Sequence, residues 1–248
     1  MKSSDGCHNG LWIKRKFSGR IRMNLQLQAV RRLVITLLAL ALLLFVPAGS
    51  PRFWQGWVFL AVLGTCWSYF FVQLLRHDPE LLRRRLRAKE PESAQRVLLR
   101  LFSGLLYVGF IIAGLDFRFG WSQLTFGGVP MAVIIAGQLG AAAGYWLVFW
   151  VMKTNSFAGS TIEVEEGQSV IEAGPYALVR HPMYLGMCIT LVSVPLALAS
   201  FAALPIFALI MPVLMLRLAH EEKTLRHKLP AYAEYCQRTQ FRLVPWLW

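Results

Sequence analysis

The stretch YLGMCITLVSVPLALASFAALPIFALIMPVLML, which covers residues 184–216, decides the fold because it is almost wholly apolar and contains no charged residue. A single membrane-spanning helix needs only about 20 apolar residues, so this run is too long for one span. Pro195, Ser200 and Pro205 lie near its middle and favour a turn there. We therefore predict two short helices folded into a hairpin.

Four shorter apolar segments precede this run, and each is long enough for one span: 33–50, 54–75, 97–115 and 129–152. Charged residues make up 16% of the chain, below the roughly 25% of soluble domains. Backbone N–H and C=O groups inside a bilayer must form hydrogen bonds with one another because no water is available, and this requirement favours helices. We predict an all-α polytopic membrane helix bundle of four spans plus a C-terminal transmembrane helical hairpin. In the fourth span, Gly140 and Gly144 indicate close helix packing.

The basic residues lie almost entirely on one side of these segments. The chain has 26 Lys and Arg residues, and all but Arg52 and Arg118 fall on the side that holds both termini. Basic loops face the cytoplasm, so we predict a multi-pass membrane protein with cytoplasmic termini. The net charge of +13 then indicates anionic lipid as a partner. Nucleic acid is disfavoured because no motif for it is present.

The first apolar segment has an alternative interpretation as a secretory signal peptide. Arg31 and Arg32 precede an apolar core, and the small residues 47–50 follow it. Removal of this segment would leave five apolar segments and an N-terminus outside the cell, which conflicts with the charge pattern.

We predict neither a disulfide framework nor a metal site. The four cysteines are scattered, with no CxxC pair and no ligand spacing. His220 and His227 could share a helix face, but no third ligand is evident, so we interpret both as surface residues.

Two stretches outside the apolar segments differ from the rest, and the first covers residues 161–184. Gly174-Pro175-Tyr176 indicates a turn, and Arg180-His181-Pro182-Met183-Tyr184 lies at the mouth of the hairpin. Pro182 suits the first turn of a helix, whose N–H groups could bind a carboxylate. The aromatic faces of Tyr176 and Tyr184 could hold an adenine or a sulfonium. The alternative is a loop anchored by interfacial tyrosine and arginine.

The second stretch, residues 217–235, begins where the hairpin ends. Arg217 and Glu221 are four residues apart and would share one helix face, whereas Glu222 would lie nearer a flank. A charged pair at a membrane boundary is costly unless it is paired or functional. Either Arg217 forms a salt bridge with Glu221, or the glutamate holds an amine while the arginine holds an anion.

Together, GPYxxxRHPMY, an apolar hairpin and RxxxEE followed by two tyrosines resemble the isoprenylcysteine carboxyl methyltransferase family. That family belongs to a wider group of integral membrane methyltransferases, which includes phospholipid N-methyltransferases. The resemblance covers roughly residues 155–245. It divides the chain into a basic segment 1–32, four spans in 33–152 and a methyltransferase-like catalytic region 153–248.

The resemblance implies S-adenosylmethionine as the cofactor. It implies that Glu221 takes the amino group of the cofactor and that Arg217, the one catalytic residue expected, holds the carboxylate of the substrate. The other cofactor-binding residues it implies are Gln168, Ser169, Val170, Ile171, Tyr176, His181, Pro182, Met183 and Tyr184.

The function implied first is carboxyl O-methylation of an isoprenylcysteine-like, prenylated acceptor. Methylation of a small thiol or of a phospholipid amine stays open, because fold analogy does not fix the acceptor. Two alternatives come from other functional classes. One is a membrane reductase of related architecture that uses a nicotinamide cofactor, and the other is a non-enzymatic protein with a relic pocket.

Overall fold

The computed structural model describes residues 6–87, 90, 92–157 and 169–245, with the side chains of these residues except 6–22 and 87. All regular secondary structure in these ranges is helical. The nine α-helices are α1 Gly6–Ala48, α2 Trp54–His77, α3 Pro79–Arg87, α4 Ser93–Phe119, α5 Trp121–Phe126, α6 Met131–Thr154, α7 Pro182–Ala197, α8 Leu204–Lys228 and α9 Ala231–Arg238. A 3₁₀ helix covers Gly174–Ala177. The predicted all-α class is confirmed.

Among the residues that the structure describes, five helices are long and apolar enough to cross a membrane: the Met23–Ala48 part of α1, α2, α4, α6 and α8. The sixth apolar helix, α7, has 16 residues and is shorter than a usual span. A polytopic bundle with a C-terminal hairpin of α7 and α8 is therefore confirmed.

The second helix of the hairpin is not short, contrary to the prediction. It continues through the charged residues after Leu216 and ends at Lys228, so that α8 has 25 residues. Hydropathy marks where the chain leaves an apolar environment, whereas a helix continues as long as its backbone hydrogen bonds do. Because of this extension, Arg217 and Glu221 lie on a regular helix.

The turn of the hairpin is held by a buried polar cluster that joins α4 and α5 to it. Asp116 accepts hydrogen bonds from the hydroxyls of Ser122 and Ser200 at 2.5 Å each, and from the Ser122 N–H at 2.7 Å. The Ser122 hydroxyl accepts the N–H of Phe201 at 2.9 Å. The cluster fixes the turn predicted around Ser200, and with it the direction in which α8 returns.

The helices α6 and α7 pack with their backbones in contact. A Cβ atom on Gly144 would lie 2.7 Å from the carbonyl oxygen of Gly186, and one on Gly186 would lie 2.9 Å from that of Gly144. Such distances are too short for any side chain. The close packing predicted from Gly140 and Gly144 is confirmed, with α7 as the partner of α6.

Candidate active site

A cavity of about 720 Å³ lies between the spans and the C-terminal elements, within the size range of small-molecule sites. One end is polar, and the other is lined by apolar side chains of α2, α4 and α6. Every predicted site residue that the structure describes lines this cavity: Ser169, Val170, Ile171, Tyr176, His181, Pro182, Met183, Tyr184, Arg217 and Glu221. Gln168 lies outside the described residues.

The beginning of α7 and the end of α8 meet at the polar end of the cavity. The hydroxyl of Tyr184 donates a hydrogen bond of 2.7 Å to a carboxylate oxygen of Glu221, across 37 residues of sequence. The contact follows from the hairpin, because α8 returns to the level at which α7 starts. The hairpin entrance and the end of α8 therefore meet at one candidate site.

His181 lies directly before α7, with Pro182 in the first turn of that helix as predicted. The residue is 4% exposed, and burial lowers the pKa of His181 to about 4. The imidazole is therefore neutral near pH 7 and can donate or accept a hydrogen bond without carrying charge. Its Nε2 lies 3.4 Å from the hydroxyl of Tyr232 on α9.

The C-terminal segment pairs with the chain around His181 through the backbone. The N–H of Arg180 donates to the carbonyl of Phe241, and the N–H of His181 donates to that of Arg242, both at 2.9 Å. The segment after α9 thus lies against the entrance to α7 and holds it in place.

Glu222 is the main residue that the sequence analysis left without a role. It is buried and accepts bonds from Arg180 Nη1 at 2.7 Å, Arg226 Nη2 at 2.9 Å and Arg242 Nε at 3.1 Å. A buried carboxylate is stable only when it is paired in this way. Arg226 lies four residues after Glu222 on α8, a spacing that the sequence shows, but no local pattern identifies Arg180 and Arg242, which come from two other segments.

Arg217 pairs with a carboxylate that the sequence analysis did not consider. Its Nη2 lies 3.5 Å from Oε2 of Glu90, which precedes α4. Its Nη1 donates to Oε1 of Gln95 on α4 at 3.3 Å. The amide nitrogen of Gln95 hydrogen-bonds to Nδ1 of His220 at 2.7 Å. His220 is exposed, as predicted, but its ring fixes the orientation of the fully buried Gln95.

The short helix α3 also reaches the site. Arg84 donates to the carbonyl of Ser156 at 2.7 Å, and Arg85 lies 3.6 Å from the sulfur of Met183. Arg85 lines the cavity, and burial lowers its pKa to about 10. In the sequence these arginines indicate only the orientation of the chain in the membrane, because a single run of basic residues does not reveal which of them turns inward.

Tyr176 closes the polar end from the 3₁₀ helix. Its hydroxyl accepts the side-chain amide of Asn155 at 3.0 Å, and its carbonyl accepts the hydroxyl of Tyr235 at 2.7 Å. Burial raises the pKa of Tyr176 to about 12, so the phenol is neutral near pH 7. The ring therefore offers an uncharged aromatic face to the cavity.

The apolar end of the cavity extends between the spans. Aromatic and aliphatic side chains line it, among them Phe59, Leu63, Phe102, Phe110, Phe149 and Phe207. Its shape and polarity suit a hydrocarbon tail, whereas the polar end suits a charged small molecule.

Comparison with known proteins relates the C-terminal half of the chain to membrane methyltransferases. Residues 132–231 match the model of the family "PEMT: Phospholipid methyltransferase". They include α6 except for Met131, all of α7 and α8, and the residues His181, Arg217 and Glu221.

Two individual proteins are also similar. The Delta(14)-sterol reductase TM7SF2 of Mus musculus is 30% identical over 135 residues, which cover 49% of this chain and 32% of the reductase. The chain thus spans only about a third of the length of this curated relative. The solved structure of the eukaryotic intramembrane Ras methyltransferase ICMT (isoprenylcysteine carboxyl methyltransferase) superposes with a TM-score of 0.48 at 16% identity, covering 98% of this chain and 88% of the other.

The family match covers the helical hairpin and most of the candidate site. The part of the chain formed by residues 132–231 is therefore related to the phospholipid methyltransferases, which confirms the resemblance to integral membrane methyltransferases that the sequence indicated.

Proposed function

We propose that this protein is a membrane methyltransferase that uses S-adenosylmethionine and acts on a lipid-like acceptor. The observation that carries the proposal is the Tyr184–Glu221 contact at 2.7 Å, beside the neutral ring of His181, at the polar end of a cavity whose other end is apolar.

The residues at the polar end fit the cofactor by their chemistry. The carboxylate of Glu221 would bind the ammonium group of the cofactor through a charge-assisted hydrogen bond. His181 offers an uncharged hydrogen-bonding group to the methionine portion and ribose, together with Pro182 and Met183. The faces of Tyr176 and Tyr184 suit adenine or a sulfonium. Residues 168–171 would enclose the cofactor through their backbone.

When bound, S-adenosylmethionine supplies an electrophilic methyl group on a positively charged sulfur. The task of the protein is then to align the acceptor with that methyl group and to exclude water. The apolar side chains of α2, α4 and α6 would hold the tail of the acceptor, and Arg217 would lie beside its reacting group.

The group of the acceptor that receives the methyl group is either a carboxylate or an amine. The resemblance noted from the sequence supports a carboxylate, as in an isoprenylcysteine-like substrate held by Arg217. The description of the matched family, phospholipid methyltransferase, supports a lipid amine. In both cases the acceptor enters from the bilayer, with the polar end of the cavity and both termini facing the cytoplasm. Residues 153–248 would form the catalytic region, preceded by the basic segment 1–32 and the spans of 33–152.

A membrane reductase that uses a nicotinamide cofactor is the second candidate. The similarity to the mouse sterol reductase over 135 residues favours it. Binding of NADPH by the purified protein, without binding of S-adenosylmethionine, would support the reductase and exclude the methyltransferase.

Isothermal titration of the protein in detergent with S-adenosylmethionine tests the proposal. We expect measurable affinity, weakened about tenfold or more in Glu221→Gln because a charge-assisted bond is lost, and to a lesser degree in His181→Ala. Glu234→Gln is the matched control, because Glu234 is exposed on α9 and does not line the cavity. Unchanged affinity in both site variants would refute the site.

A further inference from the structure

Arg217 faces the cavity with a side-chain carboxylate already beside it. Its guanidinium lies 3.5 Å from Glu90, and the exposed fractions of the two side chains are 14% and 2%. Arg217 lines the cavity, whereas Glu90 is buried and is not among the residues that line it. An anion that reaches Arg217 from the cavity therefore meets a guanidinium that already has a carboxylate partner.

Two further contacts fix this arrangement. The carbonyl of Glu90 accepts a hydrogen bond of 3.2 Å from Arg96 Nη1, and Gln95 binds the second arm of the Arg217 guanidinium. Glu90, Gln95 and Arg96 all belong to the N-terminal half, outside the residues that match the methyltransferase family. The guanidinium of Arg217, which would contact the acceptor, is therefore held by residues of the N-terminal half, whereas the cofactor would be bound by residues of the C-terminal half.

We propose that Glu90 determines the acceptor specificity of this site, a role that rests on the proposed methyl transfer. By neutralising Arg217, Glu90 disfavours a lipid that carries a negative charge at its reacting group and leaves an uncharged group, such as a neutral amine, unaffected. The physical reason is repulsion: an anionic acceptor would bring a second carboxylate to one guanidinium in a site of low dielectric constant.

The transfer to such an acceptor balances without a further reactant. The lone pair of the acceptor nitrogen forms the new N–C bond while the C–S bond breaks, and the sulfur keeps the electron pair of that bond. The methylated nitrogen then releases one proton to water. Glu90 acts through Arg217 and takes no part in these bond changes, so it is a positioning residue.

A matched pair of ligands tests this role. N-acetyl-S-farnesylcysteine and its carboxamide share one tail and differ in charge at one group. Their dissociation constants are measured for the full chain in detergent, with S-adenosylhomocysteine present to prevent turnover. We expect the wild-type protein to bind the carboxamide at least as tightly as the carboxylate. We expect Glu90→Gln to tighten carboxylate binding about tenfold, which corresponds to about 1.4 kcal/mol of binding free energy. Carboxamide binding should stay unchanged.

Glu90→Asp keeps the charge and is expected to retain the wild-type preference, and Glu234→Gln is the surface control. Equal effects of Glu90→Gln on both ligands would indicate a purely structural role and overturn the inference. Should Glu90→Gln not fold, the wild-type ratio decides: a carboxylate bound tenfold more tightly than the carboxamide overturns it.

The experiments distinguish a failure of the proposed methyltransferase function from a failure of the role proposed for Glu90. A folded wild-type protein that does not bind S-adenosylmethionine contradicts the methyltransferase proposal itself. A protein that binds the cofactor and prefers the carboxylate contradicts only the role of Glu90, and one that binds the cofactor but neither lipid overturns the inference about the acceptor.

Discussion

The two halves of this chain differ in how they contribute to the cavity. The C-terminal half, from α6 onward, carries the motif residues and matches a known family over residues 132–231. The N-terminal half provides mainly spans, yet it contributes Arg85 and Glu90 to the surroundings of the same site. Under the proposed function, the two halves would divide the work: the C-terminal half would bind the cofactor, and the N-terminal half would influence the choice of acceptor.

The largest effect is expected from the buried acid of the C-terminal half. Glu222→Gln removes a charge that faces Arg180, Arg226 and Arg242. The remaining buried guanidinium of Arg180 would lack its ion pair, and we expect a loss of about 3 kcal/mol or more in the free energy of unfolding. Thermal unfolding in mild detergent measures it, with Glu234→Gln for comparison. A midpoint equal to that of the control would show that Glu222 does not hold the C-terminal segment.

A pH dependence of similar size follows from His181. Because its pKa is about 4 in the folded protein and about 6.5 in an unfolded chain, only the unfolded chain gains a proton as the pH falls between these values. The free energy of unfolding should therefore decrease by about 3 kcal/mol from pH 7 to pH 4 on account of this group. Denaturant unfolding at several pH values should show that the free energy of unfolding decreases less with falling pH in His181→Gln than in His227→Gln. His227 is the control because it is exposed in the wild-type protein. Equal pH dependence in the two variants would contradict the buried, neutral ring.

The smallest effect concerns the contribution of the N-terminal half to the proposed cofactor site. Arg85 contacts Met183 from α3 and lines the cavity. We expect Arg85→Gln to weaken the binding of S-adenosylmethionine by about 1 kcal/mol, or severalfold, through the loss of one side-chain contact. Arg83→Gln is the matched control, because Arg83 is exposed and pairs with Glu80. An unchanged affinity in Arg85→Gln would confine the cofactor site to the C-terminal half.

Much of the fold could be predicted from the sequence because a bilayer imposes simple constraints on it. The length of the apolar run 184–216 indicated the hairpin, and Ser200 lies in its turn. The spacing of Arg217 and Glu221 placed both on one helix, and the hairpin then brought Glu221 to Tyr184. These inferences rest on local periodicity and on the thickness of a membrane.

The remaining features depend on pairings between distant segments. Nothing near Glu222 indicates that Arg242 will reach it, and nothing near Arg217 identifies Glu90 as its partner. Ion pairs of this kind are set by the way whole helices pack, which leaves no periodic signal in the sequence. The sequence did not show that the second hairpin helix continues without a break into the charged residues, since the loss of hydropathy after Leu216 does not stop a helix whose residues favour that conformation.

The central claim is that Tyr184 and Glu221 form one cofactor site, and a double-mutant cycle on the dissociation constant of S-adenosylmethionine tests it most directly. We predict that Tyr184→Phe and Glu221→Gln each weaken binding, and that the double variant is weakened by less than the product of the two single effects because the residues share a hydrogen bond. Full affinity in the double variant, or strictly independent effects, would contradict the account.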